Sequence, residues 1–314
     1  MDIETYSDDL IAWGSQRRVQ DLYIESLGEH WRIQFRKGEV IIKEQELSQT
    51  VANQLLTRFK YLGDMDVGET RKVQLGAIRY PLGAAHWRLR LSLVGDYRLQ
   101  ESMVIRFLYP LSSTEQHFLL EEQYPLLLQN IQRRGLYLFA GATGSGKTTL
   151  MYRLAKEQSG RVLTIEDPVE IEEPAFTQLQ VNPAIGQTYD LLIQLALRHR
   201  PDILIIGEIR DGETARAAIR AALTGCRVFA TVHASSIAAT RGRIRDLVGN
   251  ESELADSLLG IVYQRLLQTK TQGLGALLAY EFGESEVAYG EWQTNLAALF
   301  NQGEISEECF LREI

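Results

Sequence analysis

Cysteine is scarce in this chain of 314 residues, which has only Cys226 and Cys309, far apart in sequence. Two cysteines cannot form a zinc site built from cysteine alone, and no CxxC pair exists. Widely separated single cysteines are typical of reduced thiols in a reducing compartment. The sequence therefore predicts neither a disulfide-stabilised fold nor a cysteine-ligated metal.

Long apolar runs and a secretion signal are also lacking. No stretch approaches the ~18 apolar residues that a membrane-spanning helix needs. The chain begins Met1-Asp2-Ile3-Glu4, which is acidic where a signal peptide is basic, and no apolar segment follows. These absences predict a cytoplasmic protein with no transmembrane segment. They leave open a peripheral position at the inner face of the cell membrane, docked on a membrane protein.

Blocks of basic residues are absent, and the net charge is −8. Residues 1–110 hold 15 basic and 15 acidic side chains, whereas residues 271–314 hold one basic and eight acidic ones. The last segment therefore carries −7 of the −8. Because an acidic segment repels phosphate, this distribution disfavours direct binding of DNA or RNA.

The hydrophobic fraction of 45% and charged fraction of 24% are ordinary for a globular protein, and the length predicts two domains. The first ~110 residues have an α+β pattern. Residues 47–65 have apolar side chains at helical spacing, and Ser48 or Thr50 can cap that helix. Strands are predicted at 21–26, 30–41, 86–94 and 101–110.

A linker is predicted at 110–118, where Pro, Ser and Thr occur without apolar periodicity. Beyond it, short apolar strands alternate with helices, which indicates a parallel sheet covered on both faces. The predicted strands of this second region are 135–140, 161–167, 202–208 and 227–233.

The segment GATGSGKT at 141–148 follows one of these strands and matches the phosphate-binding loop pattern G-x-x-x-x-G-K-[ST]. Glycines let such a loop turn its backbone N–H groups toward phosphate, and the following helix adds the positive end of its dipole. Lys147 is expected to reach the β- and γ-phosphates of ATP, and the Thr148 hydroxyl to ligate Mg²⁺. The residues expected to bind ATP are Gly141, Ala142, Thr143, Gly144, Ser145, Gly146, Lys147, Thr148 and Thr149.

Carboxylates follow two further strands, Glu166 and Asp167 in TIEDPVE and Glu208 in ILIIGEIRD. Hydrolysis of ATP requires a held Mg²⁺ and an oriented water, and two carboxylates at strand ends can divide that work. The sequence leaves open which of Glu166 and Glu208 activates the water. His233 ends the strand at 227–233 and is a candidate sensor of the γ-phosphate.

Together these segments resemble the family of type II/IV secretion and pilus assembly ATPases, over roughly residues 20–270. The most specific segment is LRHRPDILIIGEIRD at 197–211, which is similar to the family signature L-R-x-x-P-D-x-aliphatic-G-E-I-R-D. The order of the motifs also matches, from the phosphate-binding loop through TIEDPVE, QLQVN and GEIRD to the histidine at 233.

The resemblance implies an α/β fold: a RecA-like P-loop ATPase domain with a parallel-rich sheet, preceded by a smaller α+β, PAS-like domain. The expected division is 1–109, a linker at 110–118, the ATPase domain at 119–270 and an acidic segment packed on it at 271–314. It further implies a homo-hexamer that acts on a polytopic membrane platform protein.

The resemblance also implies roles for individual residues. Glu166 matches a proposed catalytic base, and Glu208 matches the glutamate that helps to hold Mg²⁺, partly through water. Arg90 and Arg106 resemble two strand arginines that reach the phosphates when the domains close. Further catalytic candidates are Lys147 and His233, with Arg198 and Arg210 as weaker ones.

The departures from the family point to one branch. The four-cysteine zinc module is absent, Cys226 replaces a histidine, and the C-terminal end lacks the helix signature of the retraction ATPase. A short, zinc-free chain is most similar to the competence ATPases, which assemble a type IV-like pilus for DNA uptake. The alternatives are pilus retraction, type II secretion, a RecA-fold helicase or DNA translocase, and a nucleotide-binding scaffold without turnover.

Overall fold

The chain divides into two compact units, Met1–Tyr109 and Pro110–Ile314. The computed structural model describes residues 2–28, 30–37, 40–83, 85–113, 116–182, 185–271, 273–283 and 289–314. Residues 114 and 115 of the predicted linker, and Glu284 and Glu286 of the acidic segment, lie outside these ranges. The functional division at 110–118 and at 271 stays a prediction.

The first unit is an antiparallel sheet with two helices packed against it. Its strand order is β3-β2-β1-β6-β5-β4, and every neighbouring pair is antiparallel. One apolar cluster joins helix residues such as Ile11 and Phe59 to strand residues such as Ile24 and Ile105. The elements are α1 Ile3–Gln16, β1 Asp21–Leu27, β2 His30–Lys37, β3 Val40–Leu47, α2 Gln49–Leu62, β4 Gln74–Leu82, β5 Ala85–Gly95 and β6 Glu101–Leu108. The PAS-like description of this unit stays a prediction.

The predicted single strand over 30–41 is wrong. The chain reverses after Lys37, and Val40 pairs with Lys37 as the hairpin partner strand runs back along β2. Apolar residues occur on both sides of the turn, at Ile33 and Phe35 and again at Val40 and Ile41, so the pattern alone does not reveal the reversal. The predicted helix is confirmed, and its cap is Ser48, whose side chain accepts a hydrogen bond from the backbone N–H of Val51.

The second unit is a seven-stranded, parallel-rich sheet among helices. The strand order is β13-β12-β7-β11-β10-β8-β9, and only the β12–β13 pair is antiparallel. A short 3₁₀ turn at Leu111–Ser113 precedes it. The elements are α3 Gln123–Asn130, β7 Gly135–Ala140, α4 Lys147–Lys156, β8 Val162–Glu166, β9 Thr177–Gln180, α5 Tyr189–Arg198, β10 Ile203–Ile206, α6 Gly212–Leu223, β11 Arg227–Val232, α7 Ile237–Val248, α8 Glu251–Ser257, β12 Leu258–Gln268, β13 Leu274–Glu281, α9 Trp292–Asn301 and α10 Glu307–Glu313.

The central strands of this sheet are buried on both faces. In β7, Leu136 and Leu138 belong to one apolar cluster, and Tyr137 and Phe139 belong to another. Successive side chains of a strand point to opposite faces, so the two clusters cover the two sides of the sheet. This explains why the strands are continuous apolar runs.

Strands β7, β11, β10 and β8 are parallel neighbours, so their carboxyl ends lie along one edge of the sheet. We call this edge the carboxyl edge.

The segment 271–314 contributes a strand and two helices to the second unit. Strand β13 pairs with β12 over its whole length, and α9 and α10 pack beside it through an apolar cluster that includes Leu277, Leu296 and Ile305. One acidic side chain of this segment, Glu313, is buried and pairs with Arg265 at 2.8 Å. Within the described ranges, no helix is long and apolar enough to cross a membrane.

Candidate active site

The loop at 141–148 lies between the end of β7 and the start of α4, at the carboxyl edge. Its backbone requires glycine at two places that fix its shape. Gly141 has φ = +143° and a Cβ there would overlap the backbone carbonyl oxygen of Gln264. Gly146 has φ = +87° and stands immediately before the first residue of α4. The loop therefore wraps around the helix N-terminus in a form that side chains at these positions would prevent.

Lys147 is buried at this turn, with only 7% of its surface exposed. Its Nζ donates to the carbonyl oxygens of Gly141 at 2.9 Å and Ala142 at 2.8 Å. Burial lowers the pKa of Lys147 to about 8, while the nearby carboxylates of Glu208 and Glu170 act in the opposite direction. A buried ammonium that donates to neutral carbonyls is a strong site for an anion, because a phosphate would supply negative charge directly to it.

Strand β12 supports the loop from beneath. The Gln264 side chain is buried, and its Nε2 donates to the carbonyl oxygen of Ser145 at 2.6 Å. The Ser145 hydroxyl and the Gln116 amide are buried beside it without a hydrogen-bond partner in the described part of the chain. Gln264 and Gln116 are not among the residues predicted from the sequence, because Gln264 lies 119 positions beyond Ser145 and only the order of strands brings the two together.

Charged side chains from three neighbouring strand ends meet at the carboxyl edge. Glu208, which follows β10, accepts a hydrogen bond from Arg210 at 2.6 Å and lies 3.4 Å from the Nε2 of His233, which follows β11. Arg210 also lies 3.7 Å from Asp167, which follows β8. The structure thus brings the predicted Glu208, Arg210 and His233 into one cluster.

Glu166 lies at the same edge but is held differently. It is 3% exposed, and its Oε1 accepts hydrogen bonds from the hydroxyls of Tyr152 and, at 2.7 Å, of Thr164. Burial raises the pKa of Glu166, and these two hydrogen bonds partly offset that rise. Gly207, which directly precedes Glu208, lies against Glu166 in space: a Cβ on it would stand 3.2 Å from the Cα of Glu166.

The remaining phosphate-loop residues follow the loop and the first turn of the helix. Thr143 is exposed, and Thr148 and Thr149 are half-buried in the first turn of α4.

No group of three or more His, Cys, Asp or Glu side chains that could hold a metal ion occurs among the residues that the structure describes. Thr148 and Glu208 as ligands of Mg²⁺ stay a prediction.

Two predicted arginines belong to the first unit. Arg90 and Arg106 are directly opposite each other on the neighbouring strands β5 and β6. Arg106 donates from its Nε to Asp21 at 2.8 Å and remains about half exposed, at 49%. Their reach toward phosphate stays a prediction.

In the second unit, Arg198 ends α5 just before β10 begins, so it lies at the opposite edge of the sheet from the loop.

Replacing Gly141 by alanine is expected to lower the free energy of unfolding by at least about 2 kcal/mol, because a glycine-only backbone angle and a core overlap each cost about 1–3 kcal/mol. Gly144→Ala is the matched control: its φ of +78° is also left-handed, but a Cβ there meets nothing within 4 Å. We expect about 1 kcal/mol for that control. Urea unfolding of both variants measures the difference in the free energy of unfolding. Equal decreases in the two variants would contradict the close contact between Gly141 and the backbone carbonyl of Gln264.

Comparison with known proteins gives consistent matches along nearly the whole chain. The family model described as "Type II/IV secretion system protein" matches residues 2–288. Competence protein ComGA of Streptococcus pneumoniae is 41% identical over 309 residues, which is 97% of this chain and 96% of that protein. Competence protein ComGA of Bacillus subtilis is 35% identical over 272 residues, covering 84% of this chain and 76% of that protein.

A solved structure gives the same fold at lower identity. The X-ray structure of the Legionella pneumophila ATPase DotB is similar with a TM-score of 0.77 and 22% identity, covering 98% of this chain and 95% of that one. This likeness confirms the α/β fold with a parallel-rich sheet.

Proposed function

Since the chain belongs to the type II/IV secretion system protein family, we propose that it is an ATP-hydrolysing motor that assembles a competence pilus for DNA uptake. The observation that carries the ATPase proposal is the buried Lys147 in its glycine loop, beside Glu166, Glu208 and His233 at one edge of the sheet. The observation that favours competence is the 41% identity to a ComGA protein over 97% of the chain.

The phosphate-binding loop fits ATP by its own chemistry. Lys147 would leave the carbonyls of Gly141 and Ala142 for the β- and γ-phosphate oxygens, and the loop from Gly141 to Thr149 would wrap the phosphates with backbone N–H groups. Thr148 and Glu208 would hold Mg²⁺, directly or through water, and the ion supplies positive charge to the transferring phosphate.

We assign the two carboxylates different tasks. Glu208 is paired with Arg210 at the carboxyl edge, and carboxylate oxygens are the ligands that Mg²⁺ prefers, so this side chain is suited to holding a cation near the phosphates. Glu166 has no cationic partner among the described residues, and burial raises its pKa. A carboxylate of that kind is suited to take a proton from the attacking water. His233 contacts Glu208 and would sense the γ-phosphate through it.

The first unit supplies the remaining positive charge in this proposal. Arg90 and Arg106 lie side by side on adjacent strands, so both can approach one phosphate group together. An arginine supplied from outside the loop's own domain stabilises the charge of phosphoryl transfer, and its approach links hydrolysis to domain movement. The working assembly is proposed to be a homo-hexamer.

The partner is proposed to be the cytoplasmic face of a polytopic, ComGB-like platform protein, which places the motor in the cytoplasm at the inner face of the membrane. Nucleic acid is not a direct ligand in this proposal. The charge distribution agrees with that, because residues 271–314 carry −7 of the net charge of −8.

Complementation tests the biological role. In the organism that encodes the protein, a strain lacking the gene is expected to lose DNA uptake, and the wild-type gene, but not Lys147→Ala, is expected to restore it. Surface motility and protein secretion, measured in the same strains, are expected to be unchanged. Normal DNA uptake with loss of either of those two would favour pilus retraction or type II secretion instead.

A further inference from the structure

Tyr152 connects the helix of the phosphate-binding loop to the proposed base. It lies in α4, five residues after Lys147, and is completely buried, with its ring against Phe176 at a centroid distance of 5.3 Å. Its hydroxyl contacts Oε1 of Glu166 on β8. The Tyr152 side chain thus links α4, which begins at the phosphate-binding loop, to β8, which ends at Glu166.

The direction of this hydrogen bond follows from Gln178 on β9. The Oε1 of Gln178 accepts from the backbone N–H of Glu173 at 3.0 Å, which fixes the orientation of the amide. Its Nε2 therefore faces the other way and donates to the Tyr152 hydroxyl at 2.8 Å and to the carbonyl of Ile171 at 2.7 Å. Because the Tyr152 oxygen already accepts from Gln178, its own hydrogen is donated to Glu166.

Two hydroxyls share the same oxygen of Glu166. Thr164, two residues earlier on β8, donates to Oε1 at 2.7 Å, as Tyr152 does from the helix. Two donors at one oxygen fix the rotation of the carboxylate and favour its ionised form. Without them, burial alone would leave Glu166 free to turn and more readily protonated.

This inference rests on the proposed function. We infer that Tyr152 is a positioning residue that sets the Glu166 carboxylate at a fixed distance from the phosphate-binding loop at 141–148. The helix that carries Tyr152 starts with Lys147 and Thr148, so one helix carries both the proposed phosphate-binding side chains and the hydroxyl that holds Glu166. Proton abstraction depends steeply on such placement, and a misplacement of about 1 Å costs about 100-fold in rate.

The first variant is Tyr152→Phe, which removes only the hydroxyl. We expect kcat for ATP hydrolysis to fall about 10- to 100-fold, with KM and ADP affinity unchanged. The matched control is Tyr124→Phe in the same unit, which also removes a hydroxyl donated to a carboxylate, that of the exposed Glu157 at 2.5 Å. The control is expected to keep wild-type kcat. Unchanged kcat in Tyr152→Phe would overturn the inference.

A double-mutant cycle with Glu166→Gln tests whether Tyr152 acts through the base. Adding Tyr152→Phe to Glu166→Gln is expected to change kcat less than about 2-fold, because the hydroxyl then has no base to position. A further loss as large as in the wild-type background would overturn the inference and leave a structural role. Full turnover in Glu166→Gln alone would instead refute the assignment of Glu166 under the proposed function.

If Tyr152→Phe does not fold, as judged by ADP binding, Gln178→Leu replaces it in the same cycle. This variant keeps the Tyr152 hydroxyl but removes the donor that orients it. We expect kcat to fall severalfold in the wild-type background and to be unchanged in Glu166→Gln. Equal kcat of Gln178→Leu and wild type would overturn the inference.

Discussion

Replacing Lys147 by alanine is expected to weaken ATP binding at least about 100-fold, because hydrogen bonds to charged groups contribute about 1.5–3 kcal/mol each and Lys147 is proposed to make one to each of two phosphates. The loop itself is expected to survive, since its shape depends on glycine backbone angles and on Gln264. Titration with a fluorescent ATP analogue measures the affinity.

Lys270→Ala is the control for this change. Lys270 is an exposed lysine of the same unit, and its backbone N–H pairs with the carbonyl of Glu304, which the substitution leaves in place. Its affinity for ATP is expected to equal that of the wild type. Similar affinities of Lys147→Ala and Lys270→Ala would show that the nucleotide does not bind in the loop at 141–148.

Glu166→Gln and Glu208→Gln are both expected to reduce kcat by about 100-fold or more while ATP still binds, but for different reasons. Loss of a general base costs about 10²–10⁴ in rate. Glu166→Gln is therefore expected to leave the Mg²⁺ dependence of the reaction unchanged. Glu208→Gln removes a proposed Mg²⁺ ligand and is expected to raise the Mg²⁺ concentration needed for half-maximal rate.

Initial rates measured over a range of Mg²⁺ concentrations separate the two roles. Asp167→Asn is a suitable control, because Asp167 belongs to the same cluster but lies 3.7 Å from Arg210, farther than Glu208 does at 2.6 Å. It is expected to retain most of the activity. A shift in Mg²⁺ dependence for Glu166→Gln, and none for Glu208→Gln, would exchange the two assignments.

The parallel-rich sheet and the edge that carries the site were predictable because their signals are local. The apolar strands β7, β8, β10 and β11 stand where the sequence predicts strands, and the carboxyl ends of parallel strands meet at one edge. That rule alone predicts that Glu208 and His233 lie near one another, as the 3.4 Å distance between them confirms.

Other features could not be read from the sequence because they depend on tertiary order. Gln264 reaches Ser145 only because β12 is the neighbour of β7. Tyr152 reaches Glu166 only because α4 shares an apolar cluster with β7, β10 and β11, which brings the Tyr152 hydroxyl to the end of β8. Helix α1 was not predicted from the sequence, since Gly14 and the adjacent Ser15 lower helix propensity. Packing explains that glycine: a Cβ there would stand 2.7 Å from the ring of Phe107.

The most direct test of the account is phosphate release by the unmodified chain at saturating ATP, with Mg²⁺ and with EDTA in its place. We predict steady turnover that requires Mg²⁺, because the loop at 141–148, Glu166 and Glu208 together are proposed to form a hydrolytic site. Tight binding of ATP without any release of phosphate in Mg²⁺ would contradict it and would make the chain a nucleotide-binding scaffold.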